Sequence, residues 1–186
     1  VHKQVMEEIM IRAIRGLAAE GRKYQGVLYA GLMIKDGRAK VLEFNARFGD
    51  PETQPLLLRM KSDIVPVFEA VIDGYLDRVK VEWDRRAAVC VVMASQGYPG
   101  TYEKGKIISG LEEAAKIPNT YIFHAGTALK EGKIVTNGGR VLGVTALGDN
   151  IAEAINQAYK AVEKISWDGV YYRRDIGQKA LRKERN

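Results

Sequence analysis

The sequence predicts an α+β protein with a mainly antiparallel sheet. Of its 186 residues, 46% are hydrophobic and 28% are charged, which is the ordinary balance of a globular chain that buries a core. Apolar residues recur at helical spacing near both ends of the chain. Short apolar runs separated by glycine-containing turns fill the region from 87 to 146, and this pattern is typical of antiparallel strands.

The first part of the chain is predicted to form a helix followed by a β-hairpin. Residues 4–20 place valine, isoleucine, alanine and leucine at helical spacing, and Gly21 is a typical helix stop. Strands are then predicted over 26–35 and 40–47. The Asp36-Gly37 pair between them is the strongest short hairpin signal that a sequence carries.

Two helical stretches and a boundary are predicted next. An apolar stretch follows Pro55, and a second helix is predicted from Ile64 to about Tyr75, with Asp63 as its N-cap. The side chains predicted to face inward from this second helix are Val67, Phe68, Val71 and Ile72. Residues 76–85 are polar and charged, so the domains are predicted to be 1–85 and 86–186.

The second domain is predicted to be a small, mainly antiparallel unit. Its first strand covers 87–94, and shorter strands are predicted at 106–109, 120–125, 133–136 and 140–146. Asn150 and Glu153 resemble a capping box for a helix over 151–165. One stripe of that helix is predicted to pack in the core, with members Ala154, Ile155, Ala158, Val162 and Ile165.

Composition argues against membrane and disulfide classes. No run approaches the roughly 20 apolar residues of a membrane-spanning helix, and we expect no membrane partner. Cys90 is the single cysteine, which fits a reducing compartment, so we expect a cytoplasmic protein. We interpret Cys90 as a small strand hydrophobe rather than a catalytic thiol.

The net charge of +6 raises the alternative of a basic RNA-binding or acidic-partner-binding module. Much of the excess lies in 173–185, which contains six basic and two acidic residues. No aromatic residue interleaves with the basic ones after Tyr172 to stack on bases. A solvated basic helix is therefore the preferred interpretation, and no nucleic-acid partner is expected.

The candidate site lies in the second hairpin strand. Alternate strand residues share a face, so Glu43, Asn45 and Arg47 are predicted to line up on one side. This row has a plain alternative, the wet face of an amphipathic strand. The residues that follow favour a site: Gly49 permits a bend, and Asp50 and Pro51 suit the start of a helix whose amides would attract an anion. Carboxylate and carboxamide oxygens suit Mg²⁺, and a guanidinium suits phosphate.

The string Glu43-Phe-Asn-Ala-Arg-Phe-Gly-Asp-Pro-Glu-Thr-Gln54 resembles the signature of the glycinamide ribonucleotide synthetases, ATP-grasp ligases also called phosphoribosylamine–glycine ligases. Further motifs resemble that family in the same order: Tyr29-Ala-Gly-Leu-Met33, Arg59-Met-Lys-Ser-Asp63, Gly97-Tyr-Pro-Gly100, Phe123-His-Ala-Gly-Thr127, Thr136-Asn-Gly-Gly-Arg140 and Asp175-Ile-Gly177. The resemblance implies the C-terminal part of an ATP-grasp domain in 1–85 and the family's small C-terminal domain in 86–186.

The resemblance also implies a reaction and roles. ATP, glycine and 5-phosphoribosylamine would give glycinamide ribonucleotide in purine biosynthesis. Glu43 and Asn45 would bind Mg²⁺ or Mn²⁺ at the ATP phosphates, and Arg47 would stabilise the transferred phosphate. The glycine and amine side would be lined by Asp50, Pro51, Glu52 and Thr53, although Asp50 as a plain helix cap is an equal alternative. The strand 29–33 has no second carboxylate ligand, which leaves the number of metal ions open.

Weaker candidates lie in the second domain. His124 is either a strand residue with a hydrogen-bonded imidazole or part of the phosphoribosylamine pocket. Gly138 and Gly139 either let backbone amides approach the ribose 5-phosphate or form a hairpin turn.

The sequence contains no glycine-rich phosphate loop and no lysine-bearing ATP lobe. We therefore expect an N-terminal part of the enzyme to be missing and this chain alone to be inactive. Another ATP-grasp ligase or carboxylase is the alternative within enzymes. The sequence leaves the oligomeric state open.

Overall fold

The computed structural model describes residues 1–184, and the chain forms two compact units. The first unit contains Val1–Asp50 and Ser62–Glu82. The second unit contains Pro51–Lys61 and the chain from Trp83 onward. Both units combine helices with antiparallel strands, which confirms the predicted fold class.

The N-terminal helix is interrupted by a π-helical turn. It comprises α1 (His2–Gln4), the π-helical segment Val5–Met10 and α2 (Ile11–Ala19). The predicted stop at Gly21 is confirmed. Gly21 adopts φ +75°, its amide donates to Ala18 at 3.0 Å, and the next amide donates to Leu17 at 2.8 Å. These paired bonds satisfy the last carbonyls of the helix.

The hairpin pairs β1 (Tyr29–Lys35) with β2 (Arg38–Asn45) in antiparallel register. Asp36 and Gly37 have φ values of +50° and +73°, so the turn has the mirror-image form that suits strand twist. Among residues 1–184, β1 and β2 pair only with each other. The prediction of a strand as far as residue 47 was wrong, because the ladder ends at Asn45.

Helix α4 (Ile64–Asp73) begins at the predicted residue and ends two residues before the predicted Tyr75. Asp63 accepts a hydrogen bond from the amide of Val65 at 2.9 Å, and the helix stops at a left-handed Gly74. The prediction that Phe68 and Ile72 face inward was wrong, since Phe68 is 41% exposed and Ile72 76% exposed. The apolar stripe of α4 is wider than the part of it that other residues of the first unit cover. Ala70 is the one residue of this helix that is fully buried.

The second unit is built on a four-stranded antiparallel sheet with the order β4-β7-β3-β8. A separate two-stranded ribbon pairs β5 with β6. The strands are β3 (Ala87–Ser95), β4 (Thr120–His124), β5 (Thr127–Lys130), β6 (Lys133–Thr136), β7 (Arg140–Gly148) and β8 (Val170–Tyr172). The predicted strand at 106–109 is reduced to two isolated bridges, at Ile107 and Ser109.

Helix α6 (Ile151–Val162) packs on β3 and β7 and forms the main core. The capping box is confirmed: Asn150 accepts from the amide of Glu153 at 2.9 Å, and Glu153 accepts from the amide of Asp149 at 2.8 Å. All five residues of the predicted stripe are buried.

Three shorter helices complete the second unit. They are α3 (Thr53–Leu58), α5 (Leu111–Ala115) and α7 (Gln178–Glu184). Helix α3 packs on β3 and β7. None of the helices within 1–184 combines the length and apolar character that crossing a membrane requires.

The basic C-terminal segment is partly neutralised within the chain. Arg173 forms two hydrogen bonds to Asp175 at 2.9 and 2.6 Å. The Arg174 guanidinium lies 5.8 Å from the centre of the Tyr172 ring, within the range of a cation–π contact. Arg185, which was counted in this segment, lies outside the described residues.

Two glycines with nearly equal positive φ angles make a stability test. Gly105 and Gly110 have φ values of +80° and +83°. A β-carbon at Gly110 would lie 1.8 Å from the carbonyl oxygen of Lys164, whereas one at Gly105 meets nothing described within 4 Å beyond its chain neighbours. We expect Gly105→Ala to lower the free energy of unfolding by about 1 kcal/mol, the cost of a left-handed residue. Gly110→Ala should cost roughly 3 kcal/mol or more, because the backbone must also move. Denaturant unfolding measures both, and equal losses would contradict the described packing.

Candidate functional site

Glu43 and Asn45 lie side by side on one face of β2. The Asn45 Nδ2 atom donates to Glu43 Oε1 at 3.2 Å, as strand alternation predicts for positions two apart. Gly31 is the cross-strand partner of Glu43, and a β-carbon there would lie 3.0 Å from Glu43 Cγ. The absence of a side chain at Gly31 therefore leaves the space that the Glu43 side chain occupies.

The Glu43–Asn45 pair fits a divalent cation. Two adjacent ligands of an octahedral Mg²⁺ ion, each about 2.1 Å from the metal, are separated by about 3 Å. The two side-chain heads already lie at 3.2 Å. The Asn45 amide must present oxygen rather than nitrogen to a metal, and a flip of the amide achieves this without moving the chain. Among residues 1–184 no cluster of three or more His, Cys, Asp or Glu side chains is placed to hold a metal ion, so this pair by itself supplies only two of the ligands that such an ion needs.

Arg47 does not extend the row of Glu43 and Asn45 by strand alternation. The backbone bends at residues 46 and 47, after the last paired residue of β2. The Arg47 guanidinium donates to the carbonyl oxygen of Phe48 at 3.0 Å. The prediction that all three side chains share one strand face was therefore wrong for Arg47, which is exposed on the segment after the strand.

The segment Asp50 to Thr53 enters helix α3 differently from the prediction. Residues 50–52 form a turn, and the helix starts at Thr53. Glu52 rather than Asp50 occupies the N-cap position, with helical φ and ψ and no capping hydrogen bond from its side chain. Asp50 as N-cap was therefore wrong. Because α3 has only six residues, its dipole does not provide the predicted anion site.

The candidate residues are divided between the two units. Glu43, Asn45, Arg47 and Asp50 belong to the first unit, and the segment from Pro51 to Thr53 belongs to the second.

His124 is an exposed residue at the end of β4. Its Nδ1 atom lies 3.0 Å from the Thr127 hydroxyl, across the short connection to β5. This contact supports the interpretation of a strand residue with a hydrogen-bonded imidazole, and it leaves the Nε2 side of the ring for other contacts.

Gly138 and Gly139 connect β6 to β7 at a close approach of backbones. A β-carbon at Gly138 would lie 2.8 Å from the Cα of Gly126, and one at Gly139 would lie 2.1 Å from the Tyr98 ring. Ser95 donates to both carbonyls, through its hydroxyl to Gly138 at 2.9 Å and through its amide to Gly139 at 2.8 Å. Close packing thus accounts for both glycines, and neither has the positive φ typical of a tight hairpin turn.

Sequence reasoning did not single out three residues in close contact near the candidates: Gly31, Gln54 and Gly143. Gln54 lies on α3 above Gly143 of β7, where a β-carbon would be 3.7 Å from the Gln54 Nε2 atom. A glycine in the middle of a strand is the available sequence signal for such a close approach. The partner of that glycine is 89 positions away in the sequence, which spacing does not reveal.

Two family models together match most of the chain. Residues 1–53 match the phosphoribosylglycinamide synthetase ATP-grasp (A) domain, and residues 88–179 match the C domain of the same synthetase. The order of the two matches is the order predicted from the motifs.

Curated relatives match the chain over its whole length. A phosphoribosylamine–glycine ligase of Pseudomonas aeruginosa is 53% identical over 186 residues, which is 100% of this chain and 43% of the relative. One from Allochromatium vinosum is 54% identical over 187 residues, covering 100% of this chain and 44% of the relative. The chain thus spans less than half the length of these relatives.

Solved structures show the same fold. The crystal structure of a phosphoribosylamine–glycine ligase from Thermotoga maritima is 41% identical, with a TM-score of 0.76 over 92% of this chain and 42% of that chain. A urea carboxylase from Kluyveromyces lactis, at 15% identity and a TM-score of 0.59 over 88% of this chain and 15% of that chain, shares the fold alone.

The packing of Gly139 leads to a prediction. Gly139→Ala should lower the free energy of unfolding by about 1–3 kcal/mol, because its β-carbon overlaps the Tyr98 ring and one of them must move. Thermal unfolding of the variant beside wild type measures this loss. An unchanged unfolding temperature would mean that Gly139 is not constrained by packing.

Proposed function

The chain belongs to the phosphoribosylglycinamide synthetase family, and we propose that it carries part of the active site of a phosphoribosylamine–glycine ligase. The proposed reaction converts ATP, glycine and 5-phosphoribosylamine into glycinamide ribonucleotide, ADP and phosphate, in purine biosynthesis. The observation that carries the proposal is the match of both family domains, in order, along one chain that also has the Glu43–Asn45 pair.

The chemistry has two proposed steps. An oxygen of the glycine carboxylate attacks the γ-phosphorus of ATP, and the bond to the β,γ-bridging oxygen breaks, which gives glycyl phosphate and ADP. The amine of 5-phosphoribosylamine then attacks the glycyl carbonyl carbon and phosphate leaves, with loss of the amine proton. Both steps develop negative charge on phosphate oxygens, so positioned cations lower their barriers.

Glu43 and Asn45 are the proposed ligands of the divalent cation, Mg²⁺ or Mn²⁺. When bound, such a cation neutralises charge on the ATP phosphates. The support from this chain is the 3.2 Å separation of the two side-chain heads and the space at Gly31. Arg47 is the proposed donor to the transferred phosphate, a role that suits its planar guanidinium. Because Arg47 follows the end of β2, the direction of its side chain is not set by strand alternation.

The substrate side is proposed to use the segment that follows. Asp50 or Glu52 would bind the glycine ammonium, with Pro51 and Thr53 beside them. In the second unit, His124 and the backbone amides of Gly138 and Gly139 are the proposed contacts of 5-phosphoribosylamine. The backbone carbonyls of Gly138 and Gly139 already accept hydrogen bonds from Ser95. An anion at these two residues would therefore bind to their backbone amides.

This chain spans 43% of the Pseudomonas relative. We propose that the segments of the enzyme that correspond to the rest of that relative are the partner of this chain. We propose that the enzyme acts in the cytoplasm and that the 186-residue chain alone makes no ADP. The RNA-binding alternative is not favoured, because Arg173 pairs with Asp175 and Arg174 lies over the Tyr172 ring within the chain.

The deciding experiment is an ADP assay on the full-length enzyme that contains this chain. ADP formation should require both glycine and 5-phosphoribosylamine. Formation of ADP that is independent of glycine would refute the proposed function, and it would favour another ATP-grasp ligase or carboxylase.

The metal assignment predicts the effect of two substitutions. Glu43→Gln and Asn45→Ala in the full-length enzyme should each lower kcat/KM for the metal–ATP complex by roughly 10²-fold, because a preorganised charge contact to the phosphates is lost. Both should also shift the Mg²⁺ dependence to higher concentration. Glu69→Gln, an exposed carboxylate on α4 of the same unit, is the matched control and should behave as wild type. Unchanged Mg²⁺ dependence in both site variants would refute the assignment of Glu43 and Asn45 as metal ligands.

The role of Arg47 predicts a separate result. Arg47→Lys keeps the positive charge but loses the planar two-donor contact, so kcat should fall by roughly 10²- to 10³-fold while the KM for ATP changes little. Steady-state kinetics of the full-length variant measure the split. A kcat within a few-fold of wild type would show that Arg47 contributes charge only.

A further inference from the structure

The face of the β3–β7 sheet opposite α6 has a notch at Gly143. The core residues Val91 and Val144 are directly paired and lie on the α6 side. By alternation the next pair, Val92 with Gly143, points to the other side, where α3 packs. Glycine at this central position leaves the strand surface bare under the helix.

The side chain of Gln54 lies in this notch. A β-carbon placed on Gly143 would be 3.7 Å from Gln54 Nε2, 3.8 Å from Gln54 Cγ and 3.3 Å from Cys90 Sγ. A side chain with branches at the β-carbon would therefore overlap the space that Gln54 fills. Gln54 is on the first turn of α3, directly after the segment Pro51 to Thr53.

Polar bonding does not explain why Gln54 is held there. Its Oε1 atom is buried and has no hydrogen-bond partner among the described residues. An unpartnered buried oxygen lowers stability rather than raising it. The first turn of α3 also lacks a side-chain capping bond from Glu52. The packing of Gln54 against the sheet is thus one contact that holds the first turn of this helix on β7.

We propose that Gln54 and Gly143 are a positioning pair for the substrate side of the site. The bare surface at Gly143 sets how closely the first turn of α3 lies on the sheet, and this fixes where Thr53 lies and the direction from which residues 51 and 52 enter the helix. This inference rests on the proposed function, in which that segment lines the glycine side. Glu43 and Asn45 are in the first unit and Gln54 and Gly143 in the second, so we expect the pair to act on glycine binding rather than on the metal–ATP side.

The test measures KM for glycine and KM for ATP separately in the full-length enzyme. Gln54→Ala empties the notch and Gly143→Val fills it. Each should raise KM for glycine about tenfold or more, since a displacement near 1 Å in a binding segment can cost up to 10²-fold. Each should leave KM for ATP within about twofold. A wild-type KM for glycine in Gln54→Ala would overturn the inference.

Two further variants separate positioning from loss of stability. Gln54→Met keeps the length of the side chain and removes the unpartnered oxygen, so it should keep the wild-type KM for glycine and raise the unfolding temperature. Val144→Ala opens a cavity on the opposite face of the same strand, so it should lower the unfolding temperature and leave both KM values unchanged. If Val144→Ala also raised KM for glycine, the effect would be one of stability and the inference would fail.

The same assay distinguishes failure of the positioning pair from failure of the proposed function. Wild-type enzyme that forms no glycine-dependent ADP would refute the function itself. An active wild type with unchanged glycine KM in Gln54→Ala and Gly143→Val would refute only the positioning pair.

Discussion

The burial of β7 on both faces is the constraint on which the second unit depends. Every residue from Val141 to Gly148 is buried, which requires a helix on each side of the sheet. One glycine marks each close approach. A β-carbon at Gly148 would lie 2.4 Å from the amide nitrogen of Ala154 at the start of α6, and one at Gly143 would lie against Gln54 of α3. The opposite parity of these two positions shows that they belong to opposite faces. The strand thus contacts the first turn of each helix at a residue without a side chain, Gly148 at α6 and Gly143 at α3.

Features set by neighbouring residues could be predicted from the sequence. The Asp36-Gly37 turn, the Asn150 capping box and the buried stripe of α6 each depend on residues a few positions apart, and all are confirmed. Two short strands, β5 and β8, were not predicted, although the four-residue strand β6 was predicted at its observed bounds. Strands β5 and β8 have four and three residues, too few to show a period, and they form because a longer strand or ribbon partner supplies the hydrogen bonds.

In the candidate site too, features set by neighbouring residues were predicted and features set by distant residues were not. The adjacency of Glu43 and Asn45 follows from strand alternation and was predicted. The departure of Arg47 from that row could not be predicted. The β1–β2 ladder ends at the pair Tyr29–Asn45, so the end of β2 is set by where the opposite strand begins and not by the residues around Arg47. The start of α3 at Thr53 was missed for a related reason. Asp50 and Pro51 are good residues for a helix start, but they form a turn, and the helix begins where packing on β3 and β7 begins.

Membership of different units gives the candidate residues different sources of rigidity. Glu43 is held by the hairpin, through its place opposite Gly31, and a two-stranded hairpin by itself is only marginally stable. The segment 51–53 is held by α3, which rests on a strand buried on both sides. A substitution in the β3–β7 sheet therefore reaches residues 51–53 through one helix turn, whereas a substitution in β1 reaches Glu43 across one cross-strand pair. Because these routes share no residue, Glu43 and the segment 51–53 can be perturbed independently. Kinetic effects that fall on one substrate alone are the expected consequence of this arrangement, and a general loss of stability does not produce them.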